Sequence, residues 1–98
     1  MTSQNALRLK LYTDADGVEW KRRGGTLTVE QIAKLVGDPA VRVVHEYLDE
    51  TVAVPVADRR AFRAAVTATR AKSGHVAFEG AEFRGPHGER LLVVHEDC

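Results

Sequence analysis

The side chains best suited to hold a metal or move a proton are four histidines, His45, His75, His87 and His95, and one thiol, Cys98. His45 and His95 each close a Val-Val-His run, and each precedes a glutamate, Glu46 or Glu96. Imidazole and thiolate suit zinc, but a structural zinc site needs four ligands converging within bonding distance. The spacing offers only His95-x-x-Cys98, without paired Cys-x-x-Cys or His-x-x-x-His. In a strand, neighbouring side chains point to opposite faces, so His45 and Glu46 cannot serve one site. If the two Val-Val-His-Glu segments are neighbouring strands, His45 and His95 can pair across the sheet. A small metal-dependent or acid–base enzyme around His45, His75 and His95 is therefore one functional class. The spacing argues instead for histidines hydrogen-bonded at a sheet surface, with no metal and no cofactor. His87 reads as a solvated turn residue.

Nucleophilic chemistry has less to work with. A reactive thiol needs a fixed position and a lowered pKa, and Cys98 stands at the end of the sequence. Ser3 and Ser73 are the two serines, and neither sits in Gly-x-Ser-x-Gly. Arg23-Gly24-Gly25-Thr26 lacks the lysine and the spacing of a phosphate-binding loop. Asp14-x-Asp16-Gly17-x-Glu19 is spaced like the middle of a calcium loop but lacks its further acidic ligands, and reads as a hairpin turn. A catalytic protein is the less favoured reading.

Cationic side chains are better grouped. Trp20 is followed by Lys21, Arg22 and Arg23 and then by two glycines. An aromatic beside a flexible cationic loop can stack a base and hold phosphates. A second group, Arg59, Arg60, Arg63 and Arg70, falls on the outer side of a helical segment. Against nucleic acid stands a balance of 14 basic and 14 acidic residues, a formal charge of zero. The preferred reading is a non-catalytic interaction domain, such as a regulator, an immunity- or antitoxin-like protein or an accessory factor. It would act through a protein partner or as a homodimer, with Trp20, Lys21, Arg22, Arg23, Tyr47, Arg59, Arg63 and Arg70 as contact residues. Nucleic-acid binding through Lys21–Arg23 and the arginine helix is the alternative.

These residues need elements to position them. The 98 residues suit one domain, with 1–6 and 97–98 as frayed termini. Leu7, Leu9 and Leu11 alternate with polar residues, Asp16-Gly17 turns, and Val18–Lys21 returns, which predicts a hairpin. Arg22–Gly25 reads as a loop. Thr28 and Gln31 form a capping box, Leu27 and Ile32 a hydrophobic staple, and Gly37 a left-handed helix stop before Asp38-Pro39. Val41–Leu48 and Thr51–Val54 read as a second hairpin, with Pro55 placing the end of the latter at an edge or outside the sheet. Asp58 caps a second helix to about Lys72, with Phe62, Ala65, Val66 and Thr69 facing inward. Val76–Phe78 begins a strand that Gly80 interrupts as a turn or bulge and Ala81–Arg84 continues, and residues 81–96 give a third hairpin.

The order is β-β-α-β-β-α-β-β, an α+β two-layer sandwich with two helices on one face of a mainly antiparallel sheet of about six strands. Two short helices leave part of that sheet uncovered, and this invites a second copy. No apolar run spans a bilayer, no leader is legible at the N-terminus, and one cysteine fits a reducing compartment, so a cytoplasmic protein is expected. Ten arginines against four lysines suggest a bacterial genome of high GC content.

Overall fold

Thr28 opens the first helix as its spacing predicts. In the computed structural model, which describes residues 9–46, 53–72 and 78–96, its hydroxyl accepts from the Gln31 amide at 3.2 Å. The Gln31 side chain accepts in return from the Thr28 amide at 2.8 Å. Thr28→Ala is expected to cost about 1 kcal/mol, read from the urea midpoint; an unchanged midpoint would remove the cap from the account. The helix, α1 (Val29–Val36), turns Ile32 and Val36 into the core. It ends at Gly37, but in the right-handed conformation, φ −79° and ψ −8°, rather than the expected left-handed one. Asp58 caps α2 (Arg59–Lys72), accepting from the Ala61 amide at 3.1 Å.

Six strands complete the order read from the sequence: β1 (Leu11–Thr13), β2 (Glu19–Leu27), β3 (Val41–Glu46), β4 (Ala53–Pro55), β5 (Phe78–Arg84) and β6 (Arg90–Glu96). They form one sheet in the order β1-β2-β5-β6-β3-β4. Neighbours are antiparallel except β3 and β6, which run parallel. Pro55 lies on the edge strand β4, where its missing N–H costs no ladder bond. Among the described residues no helix is long and apolar enough to cross a membrane.

Three local expectations are corrected. Arg22–Gly25 is not a loop. β2 runs through it, and the irregularity is a register shift against β5 between Arg23 and Leu27. Gly24 takes φ +80° there, which a glycine tolerates and a side chain resists. Gly80 is neither turn nor bulge: it pairs in register with Val94. A Cβ on it would come within 3.2 Å of the Val93 carbonyl and 3.3 Å of Ile32, so its bareness lets α1 approach the sheet. Ala65 is exposed rather than inward, while Val66 is buried and Phe62 half-buried.

The sheet separates two apolar clusters. On the helix side, Ile32 and Val36 pack with Val41, Leu92, Val94, Phe78 and the Val66 of α2. Phe62 reaches the sheet, its ring edge-on to Phe78 at 5.4 Å between centroids. On the other side lie Trp20, Val44, Ala81, Phe83, Leu91 and Val93. That second face was expected to be open, yet Trp20 is 2% exposed and Phe83, Leu91 and Val93 are fully buried. Side chains from distant strands meet over it. Trp20 and Arg42 sit on β2 and β3, with β5 and β6 between them, which is about 14 Å of flat sheet. The Arg42 guanidinium nonetheless lies 5.3 Å from the indole centroid. Long side chains therefore close over this face, and the premise for self-association through it falls.

Candidate functional site

The two Val-Val-His-Glu segments are neighbours, as β3 and β6, but they are out of step by one residue. His45 is opposite Val94, and Glu46 is opposite His95. A one-residue offset in a period-two structure exchanges the faces. His95 therefore joins Glu46 on the face opposite the helices, with Nδ1 3.8 Å from Glu46 Oε1. His45 joins Glu96 on the helix face, with Nε2 2.9 Å from Glu96 Oε1 and its ring 5.0 Å from Phe62. His45 and His95 do not pair across the sheet, as the sequence suggested they could. Each histidine meets the glutamate of the other strand instead.

The Glu46–His95 pair is deeply placed, at 6% and 2% exposure. Burial pushes the Glu46 carboxyl up from its ordinary value, and the neighbouring His95 opposes that shift. Tyr12 on β1 is raised by burial, by Glu46 and by Asp14, with Arg42 acting the other way. Asp14 is held low, chiefly because its carboxylate accepts from Trp20 Nε1 at 3.0 Å and from the Val18 amide at 2.9 Å. The calcium-like spacing is thus a hairpin turn, with Gly17 at φ +83° and Asp14 also accepting from the Asp16 amide. Among the described residues no three His, Cys, Asp or Glu side chains gather as a metal's ligands would.

The first cationic group is broken up by the fold. Trp20 is buried, and its face is taken by Arg42, so it is no platform for a base. Arg22 turns back on the chain, donating to the carbonyls of Gly24 at 3.2 Å and Leu9 at 3.3 Å. Lys21 lines an open cavity of about 660 Å³ with Glu19, Arg84 and the two turns at Gly17 and Gly85. Arg23 is exposed on β2. Tyr47, His75, Cys98 and the side chain of Arg70 lie outside the described residues. His87 is exposed in its turn, 3.6 Å from Glu89.

The second group is brought together. Arg59, Arg60 and Arg63 line a cavity of about 310 Å³ whose other wall is Val36, Gly37 and Pro39, the end of α1. Arg63 also borders an adjoining cavity of about 250 Å³ with Glu30, Lys34 and Thr67, so a groove follows the two helices. Arg59 has structural work: Nε donates to the Val36 carbonyl at 3.0 Å and Nη2 to that of Asp38 at 2.6 Å, closing the C-terminal end of α1. Those bonds anchor the side chain and leave its other N–H groups uncommitted to α1. Arg60 and Arg63 are exposed, and neither is ion-paired to a carboxylate among the described residues. The nearby Asp38 carboxylate is used otherwise, accepting from the Ala40 amide at 2.9 Å and lying 3.7 Å from Arg90. The first turn of α2 holds no acid to balance these cations, although a helix start favours negative charge.

Compared with family models, with curated proteins and with solved structures, the chain matches none.

Proposed function

We propose that this protein is a non-catalytic interaction domain that docks an acidic segment of a protein partner along the groove between α1 and α2. The observation that carries this reading is the pair Arg60 and Arg63. Both are exposed on one groove, joined there by Lys34, and left without a carboxylate partner among the described residues. Surface arginines are ordinarily balanced by local acids, and two held together unbalanced favour an anionic ligand. Nucleic acid is the weaker alternative, because the loop meant to stack a base is a strand whose tryptophan is buried. The histidine-based enzyme loses its support with His45 and His95 on opposite faces.

A short polyglutamate peptide, followed by fluorescence anisotropy, tests the reading. Binding should weaken as salt rises. Arg60→Glu with Arg63→Glu exchanges two surface attractions for two repulsions, about 2 kcal/mol together, so affinity should fall near thirtyfold. Equal binding by parent and double variant would overturn the groove as the docking surface.

A further inference from the structure

The geometry points to the cavity between Gly37 and the arginines of α2 as the seat of a phosphoryl group, carried on a phosphorylated side chain of the acidic partner. This deepens the docking reading above and rests on it. Three observations converge. The first is the donor supply. Arg59 spends two of its five N–H bonds on the Val36 and Asp38 carbonyls, which fixes its guanidinium and leaves the others for a ligand. Arg60 and Arg63 line the same space. Planar guanidinium forks match the oxygens of a phosphoryl group, which offers more acceptors and more charge than one carboxylate.

The second observation is Gly37. Its backbone is right-handed, φ −79°, a conformation open to any residue, so the turn itself does not demand glycine. A Cβ there would stand 3.1 Å from Arg63 Nη1 and 3.2 Å from its Cζ and Cδ. The missing side chain leaves the room that the Arg63 guanidinium occupies beside the end of α1. The third is the size of the space. About 310 Å³ exceeds what a bare phosphate needs and leaves room for the side chain that bears it.

The test uses the full chain and follows its arginine Nε–H resonances by NMR. Three probes are compared: inorganic phosphate, a polyglutamate peptide, and the same peptide with a central phosphoserine. Phosphate should shift the Arg60 and Arg63 signals saturably, and the phosphopeptide should bind about tenfold tighter than its serine counterpart, the scale of one further charge-assisted hydrogen bond. Arg63→Gln should erase that preference. Gly37→Ala keeps every charge but crowds Arg63, and should cut the preference severalfold. Urea melts confirm that both variants are folded. Shifts that merely track ionic strength, or equal binding of the two peptides, would overturn the phosphoryl site. Equal but real binding leaves the docking groove standing. Binding by neither peptide removes both.

Discussion

Trp20→Ala is expected to lower stability by about 3–5 kcal/mol, the range for emptying a buried aromatic site. Three features push the change toward the upper end. The indole is 2% exposed within a cluster that holds β2, β3, β5 and β6 together. Its Nε1–H serves the Asp14 carboxylate at 3.0 Å, so removal also loosens the turn that Asp14 organises. Arg42 lies over its face at 5.3 Å and would lose that contact. Trp20→Phe separates the contributions, keeping most of the ring while leaving the Asp14 oxygen without its donor. It should fall between parent and alanine variant in urea melts. A loss below about 1 kcal/mol for Trp20→Ala, the ordinary size for a surface site, would mean that the face opposite the helices is not a core.

The second large effect concerns the buried Glu46–His95 pair. His95→Leu leaves Glu46 buried without its opposing group, and a buried polar group left without its partner costs about 1–3 kcal/mol. Glu46→Leu should cost less, because it removes the carboxyl that burial penalises. The double leucine variant should recover much of the loss, since volume is kept and no charge remains buried. The pH dependence has a definite sign. Burial raises the folded-state pKa of Glu46, so the folded protein binds its proton more tightly than the unfolded chain. Stability from this group is present at low pH and declines as pH rises through the unfolded value and on to the folded one. His95→Leu removes the opposition to that shift, so its penalty should be smaller near pH 5 than near pH 8. A penalty independent of pH would show that the pair is not electrostatically coupled.

Much of the architecture was legible in local pattern. Period-two alternation, the Thr28–Gln31 box, the Asp58 cap and the Asp16-Gly17 turn are encoded within a few residues, and all eight elements follow in order. The parallel β3–β6 contact is encoded nowhere locally, because it joins segments about fifty residues apart. Its one sequence trace is the doubled Val-Val-His-Glu, which identifies neighbours but not the one-residue offset that decides their faces. Trp20 misled for a related reason: its partners, Asp14 across a turn and Arg42 three strand positions along the sheet, leave no mark on the residues beside it. Arg22–Gly25 misled because paired glycines signal a loop and a strand irregularity equally well. On α2 the helical period did place Arg60 and Arg63 outside, but only the fold shows that Arg59 is anchored to the end of α1.

The position of β6 also sets an order of events during synthesis. It is the last of the described strands to be made, yet it is the bridge between β5 and β3. While residues 90–96 remain inside the ribosome, the β1–β2–β5 group and the β3–β4 hairpin have no shared ladder to join them. Val41, Ile32 and Val36 then lack Leu92 and Val94, the side chains that fill the space between them. The emerging chain must therefore carry an unfinished apolar surface until its central strand is released, and closure of the sheet is a late, long-range step.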